Sequence, residues 1–239
     1  MKLRVVKESE VNNKSQGSSL RKPKTRVLLV DDHPILRKGL AQMINLEADM
    51  MVCAEAEDGP KAFELAGSAT PDVAVIDVCL KGGNGIELVK NLKARFPDLP
   101  TLVLSMYDES LYAERALRAG SLGYIMKEEA IEQVLVAIRR VLQGEIFLSD
   151  KMKAKVLQQL ATGKAKTVMS PIEALTDREL EILRMIGAGR SVKEIAQALF
   201  LSAKTVESHR EHIKDKLNVK SSAGLLRFAI ENTSEGRRT

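Results

Sequence analysis

Four consecutive apolar residues, Val73-Ala-Val-Ile76, lead into a single carboxylate, Asp77, and this stretch constrains the fold more than any other. A strand with no polar side belongs in the middle of a parallel sheet that is covered on both faces. In open sheets of that kind, ligand-binding groups gather beyond the carboxyl ends of the strands. The pattern therefore predicts a buried strand with Asp77 at its functional end.

A second apolar run, Val27 to Val30, ends in Asp31 and Asp32, and two others end in Ser105 and Lys127. If these strands are neighbours, three carboxylates meet, and like charges so placed raise one another's pKa or recruit a cation. A hard, oxygen-seeking ion such as Mg2+ relieves that repulsion while keeping several waters. With a hydroxyl and an ammonium added, the set would stabilise a phosphoryl group on Asp77, because phosphoryl transfer depends on positioning and charge neutralisation. The blander reading makes each Asp a cap on the helix after its strand.

Strand and helix patterns alternate five times from Arg26 onward, which implies an α/β domain with a doubly wound five-stranded parallel sheet of order 2-1-3-4-5. The expected divisions are a disordered basic extension over 1–25, the α/β domain over 26–145, a linker with a short helix over 146–173, and a small all-α domain over 174–234. The loop Lys81-Gly-Gly-Asn-Gly85 reads as flexible. Cys53 and Cys79 both stand in apolar context, which suggests buried, reduced thiols and a cytoplasmic chain. No apolar run reaches the length of a membrane span, so a soluble protein is expected.

Charge divides along the chain more sharply than the formal net of +5 suggests. Residues 1–25 carry 7 basic and 2 acidic side chains, 26–145 carry 13 and 19, and 146–239 carry 17 and 11. An acidic domain joined to a basic one points to a polyanion as partner of the second alone.

Helix starts in the basic domain are marked by two capping boxes, Thr176-Asp-Arg-Glu179 and Ser191-Val-Lys-Glu194. Gly187 and Gly189 separate these two helices. Ser202 caps a third that runs to about Leu217, and a fourth begins at Ser221 or Ser222. Helix, short turn, helix is the arrangement that lays one helix in the DNA major groove. At about 100° per residue, Val206, Ile213 and Leu217 share the inward face of the third helix. Lys204, Glu207, Ser208 and Glu211 are then candidates for base edges, where lysine donates to guanine and a carboxylate accepts from cytosine. Thr205, His209, Arg210, His212 and Lys216 would position the DNA backbone. Neither His209 nor His212 has metal-ligand company along the chain, and a metal role for them is not expected.

Asp31-Asp32, Asp77, Ser105 and Lys127, in that order on successive strand ends, resemble the receiver domain of two-component response regulators over about Arg26 to Gly144. Leu175-Thr-Asp-Arg-Glu-Leu-Glu-Ile-Leu183, Lys193-Glu-Ile-Ala196 and Leu201-Ser-Ala-Lys-Thr-Val-Glu-Ser-His209 closely resemble the LuxR-type helix-turn-helix. Together they look like the NarL/FixJ family. The resemblance implies a regulator rather than an enzyme: a histidine kinase phosphorylates Asp77 with Mg2+ present, and control of double-stranded DNA binding follows. It further implies Asp32 as a direct metal ligand, Asp31 as a direct or water-mediated one, and the backbone carbonyl of Cys79 as another. Tyr124 matches the aromatic switch that follows Ser105, and the fourth helix would form a homodimer contact through Leu225, Leu226 and Ala229. Departures are Leu80-Lys81 where Met-Pro is common, Glu128 where Pro is common, and Ser222 where Arg is usual. Tyr107, two residues beyond Ser105, is expected to shield the acyl phosphate from water.

Two other classes fit parts of the chain. A phosphatase could use Asp77 as nucleophile, but Cys79 stands where such sites carry a second acid. A DNA-binding protein indifferent to phosphorylation could keep the receiver as an interaction module.

Overall fold

The computed structural model describes residues 23–129, 131–161 and 171–233. The expected N-terminal extension lies outside them except for its last three residues, as does the middle of the linker. In chain order the elements are β1 Thr25–Val30, α1 Pro34–Leu46, β2 Met50–Ala56, α2 Gly59–Ser68, β3 Val73–Asp77, β4 Cys79–Leu80, β5 Gly83–Asn84 and α3 Gly85–Arg95. There follow β6 Thr101–Ser105, α4 Glu109–Ala119, β7 Gly123–Met126, α5 Ile131–Leu142 and α6 Asp150–Ala161. A 3-10 turn at Pro171–Ala174 then leads to α7 Asp177–Gly187, α8 Val192–Ala198, α9 Ala203–Leu217 and α10 Ser222–Thr233.

Five strands form one parallel sheet in the order β2-β1-β3-β6-β7. With the two-residue β4–β5 pair set aside, this is the order 2-1-3-4-5 expected for a doubly wound domain. All five residues of β3 are buried, and helices cover both faces. On one face Leu40, Ile44, Val134 and Ile138 of α1 and α5 pack over Val27, Leu29 and Val75. On the other, α3 and α4 cover Leu28, Val30 and Ile76, and this cluster runs on without a break into Leu180, Ile195 and Ile213 of the C-terminal helices. Full burial of one such aliphatic side chain stabilises the fold by roughly 1.5–3 kcal/mol.

The Lys81–Gly85 loop is more ordered than its glycines suggested. Gly83–Asn84 pairs antiparallel with Cys79–Leu80, and the Asn84 side chain caps α3 by accepting from Ile86 N at 2.8 Å. A Cβ at Gly85 would lie 1.9 Å from the Asp77 carbonyl oxygen. Glycine there lets α3 start directly against the end of β3.

In the C-terminal domain both capping boxes form, Thr176 with Glu179 and Ser191 with Glu194. Val206 and Ile213 are 0% exposed and Leu217 is 8% exposed, so the inward face of α9 is the one read by angle. Two expectations need correcting. Gly187 is the last residue of α7 rather than a separator, and a Cβ there would meet Thr233 Oγ1 at 2.6 Å and Ala229 O at 3.0 Å. Leu225 and Ala229 are both 0% exposed because α10 packs on α7. Of the three residues expected at a dimer contact only Leu226 reaches solvent, with Ile230 on the same helix. Among the described residues, no helix is long and apolar enough to cross a membrane.

Candidate functional site

Strand register builds the site. Val30 pairs with Ile76, Asp77 with Leu104 and Ser105 with Met126. The next residues, Asp31 and Lys127, therefore emerge with Asp77 and Ser105 at one end of the sheet. Lys127 Nζ lies 2.6 Å from Asp77 Oδ2 and 2.7 Å from Asp31 Oδ2. These three side chains are only 2–3% exposed. One buried ammonium is thus shared by two buried carboxylates, the condition under which such charges are tolerated.

Burial pushes the Asp77 carboxyl up to about 7, with Asp31 adding to the rise and Lys127 opposing it. Burial also works against the Lys127 cation, but Asp77 and Asp31 outweigh it and hold the ammonium above its usual range. Asp32, less buried, is likewise raised by desolvation.

His33 was not singled out from the sequence, yet its Nδ1 is 2.7 Å from Asp32 Oδ1 and 3.9 Å from Asp77 Oδ2. Its backbone N–H donates to Asp31 Oδ1 at 2.8 Å. Asp31, Asp32, His33 and Asp77 each offer a ligand atom within 4.8 Å of the others. Asp32 Oδ1 is buried and accepts no hydrogen bond, although His33 Nδ1 lies 2.7 Å away. A buried carboxylate oxygen without a donor, facing two more carboxylates, fits a divalent cation with oxygen ligands.

Ser105 is 1% exposed, and its Oγ accepts from Tyr107 N at 3.1 Å. Tyr124, also 1% exposed, donates through its hydroxyl to Tyr107 O at 2.7 Å. Both therefore bear on the backbone of Tyr107. The Tyr107 hydroxyl is 2.6 Å from Cys79 Sγ, and its ring stacks on Tyr112 at 5.0 Å. Cys79 and Cys53 are both only partly buried, contrary to the expectation for them, and both are free thiols.

The same end of the receiver sheet carries the C-terminal domain, and this contact was not visible in the sequence. Arg184 of α7 lies over the Tyr107 ring, and Glu181 Oε1 reaches Cys79 Sγ at 3.6 Å. Asp177 is clamped by Arg115 and Lys90, each at 3.0 Å. Arg115 also donates to the carbonyls of Leu175 and Ile172, each at 2.8 Å. Burial raises the Glu181 carboxyl, with Arg178 opposing.

Helix α9 keeps its outer face open. Lys204, Thr205, Glu207, Ser208, Glu211 and His212 are exposed, and His209 is half-buried. Glu207 pairs with Arg210 at 3.2 Å and Glu211 with Lys214 at 2.8 Å. The Thr205 hydroxyl shares a hydrogen bond with Ser202. Lys216, expected at the DNA backbone, is bound to the buried Glu179 at 2.6 Å. The expectation that His209 and His212 lack metal-ligand company also needs correction. Folding brings Glu179 of α7 to both, with ligand atoms of all three within 4.8 Å of one another. Three residues of separation along α9 put the histidines on one side, and only the packing of α7 supplies the carboxylate.

Comparison with known proteins agrees with this architecture. The family model for the response regulator receiver domain matches residues 27–139, and that for bacterial regulatory proteins of the luxR family matches 173–229. The chain is 37% identical over 210 residues to the oxygen regulatory protein NreC of Staphylococcus carnosus, covering 86% of this chain and 97% of that protein. The Staphylococcus epidermidis NreC is 35% identical over 211 residues, with the same coverage. Among solved structures, RcsB of Salmonella typhimurium aligns with a TM-score of 0.63 at 26% identity, over 89% of this chain and all of that one. RcsB of Salmonella enterica bound to promoter DNA with the phosphomimetic BeF3- aligns at 0.59 and 26%, over 87% and 99%. The chain belongs to the two-component response regulators of the NarL/FixJ type, DNA-binding transcription regulators under the control of phosphorylation.

Proposed function

We propose that Asp77 is the phosphoacceptor of this regulator, with Mg2+ as cofactor and a histidine kinase as donor. The observation that carries the assignment is Lys127 Nζ held between Asp77 and Asp31 at 2.6 and 2.7 Å. That cation lies where the charge of a phosphoryl group on Asp77 must be neutralised.

In the transfer, an Asp77 oxygen bonds to phosphorus as the bond from phosphorus to the donor's histidine nitrogen breaks. The electron pair returns to that imidazole. Asp31, Asp32, Asp77 and the backbone carbonyl of Cys79 would hold the Mg2+, which when bound supplies positive charge beside the phosphoryl oxygens and lowers the Asp77 pKa. Lys127 then exchanges its ion pair with Asp77 for one with the phosphoryl group. Ser105 turns its hydroxyl to donate to another phosphoryl oxygen.

Displacement of Ser105 loads Tyr107, because Ser105 Oγ and Tyr124 OH both hydrogen-bond its backbone. The Tyr107 ring lies beneath Arg184, so the movement weakens the docking of α7 and shifts the balance of two domain arrangements. The released domain presents Lys204, Glu207, Ser208 and Glu211 to base edges, with Thr205, His209, His212 and Lys216 toward the phosphate backbone. Two such domains form the active homodimer across the exposed side of α10, where Leu226 and Ile230 stand.

Labelling with a small phosphodonor tests the assignment. Asp77→Asn is expected to keep the fold and lose Mg2+-dependent acyl-phosphate labelling; persistent labelling of that variant refutes it. DNA binding measured with and without the donor tests control. Affinity should rise on phosphorylation and fall steeply with salt as phosphate contacts release counterions.

A further inference from the structure

We infer that Glu179, His209 and His212 form a second metal site, for a divalent transition metal of the zinc class, between α7 and α9 of the DNA-binding domain. The chain has three histidines, and two of them converge on one carboxylate. His209 and His212 are three apart on α9 and so project to the same side. Glu179 is fixed opposite them as the third residue of α7, where its capping-box contact anchors Oε2 to Thr176 N at 2.7 Å.

The ligand atoms lie within 4.8 Å of one another. Donors about 2.0–2.1 Å from a tetrahedral zinc are separated by roughly 3.4 Å, so small torsional changes close the set. Two imidazoles and one carboxylate are a donor set for zinc, with one coordination position left to water. Imidazole nitrogen disfavours Mg2+, which seeks oxygen. The acidic pocket around Asp77 and this cluster are therefore separable by metal type.

Charge argues for a cation here as well. Glu179 is 3% exposed, and a buried carboxylate needs a positive neighbour. Lys216 Nζ meets that need at 2.6 Å, and it too bonds to Oε2. A metal ion held by the two histidines and Glu179 takes over this role and releases the Lys216 ammonium. The same exchange sets a ceiling on affinity, since the ion must compete with an existing ion pair. Ligation also pins both histidines to α7, away from any DNA phosphate.

The test is a titration of the full chain with Zn2+, followed by calorimetry, in Mg2+ sufficient to fill the acidic pocket. One Zn2+ per chain is expected, and Co2+ should give a visible absorption spectrum that Zn2+ bleaches. His212 is exposed, so His212→Ala should fold as the parent does by circular dichroism and bind Zn2+ at least tenfold more weakly. His209→Gln should behave alike. His33→Ala, which removes the imidazole of the acidic cluster, should leave the affinity unchanged. Absence of Zn2+ binding in Mg2+, undiminished binding by His212→Ala, or loss of binding in His33→Ala would each overturn the inference.

Discussion

The guanidinium carbon of Arg184 lies 3.4 Å from the centroid of the Tyr107 ring and 5.6 Å from that of Tyr112. Tyr107 stands two residues past Ser105, so one side chain of the DNA-binding domain rests on the segment that leaves the Asp77–Lys127 end of the sheet. A cation over an aromatic face contributes about 0.5–2 kcal/mol. Arg184→Ala should therefore increase the undocked population by about 2- to 30-fold, read as inter-domain energy transfer between labels on α2 and α10. An unchanged distance distribution would mean that Asp177 and Arg115 hold the domains without help from this contact.

Tyr107 also roofs the chain immediately after Asp77, through its hydroxyl at 2.6 Å from Cys79 Sγ. Removal of the ring opens that path to water. Tyr107→Ala should shorten the half-life of the acyl phosphate several-fold, whereas Tyr107→Phe should stay close to the parent because the ring remains. Decay of radiolabelled protein compares the three, and equal half-lives would exclude a shielding role.

Gly85 is a steric requirement of the turn between β3 and α3. Its Cβ would meet the Asp77 carbonyl oxygen at 1.9 Å and the carbonyl carbon at 2.8 Å, and neither backbone atom can give way cheaply. Gly85→Ala should cost about 3 kcal/mol of stability, lower the melting temperature, and slow phosphorylation in whatever protein remains folded. Gly83→Ala serves as the control, since no atom lies within 4 Å of a Cβ there.

Mg2+ binding should depend on pH through Asp77. Burial raises this carboxyl to about 7, so the metal-free folded protein holds a proton there below that pH. Mg2+ requires the carboxylate, and each unit of pH below about 7 should weaken binding by up to tenfold as proton and metal compete. Above that pH the affinity should level off. The sign for stability is the opposite: a raised carboxyl pKa means the folded state binds the extra proton, so this group favours folding more as pH falls through about 7. Mg2+ titrations at several pH values, followed by fluorescence of the site tyrosines, check the prediction. A flat profile would place the ion away from Asp77.

The sequence by itself determined the alternation of strands and helices, the buried strand ending at Asp77, both capping boxes and the inward face of α9. These signals act between residues no more than about four apart, where backbone geometry alone decides which side chains meet. Tertiary structure decided the rest. The pairing of β3 with β1 and β6 turned Asp31, Asp77 and Lys127 into one ion-paired group, with His33 added at its rim. The close start of α3 on β3 made Gly85 indispensable, though along the chain it looked like part of a loose loop. Packing of α7 carried Arg184 to Tyr107, 77 residues away by number, and brought Glu179 to two histidines that the sequence left alone. Such contacts depend on how whole elements pack, and no local pattern of residues encodes that distance.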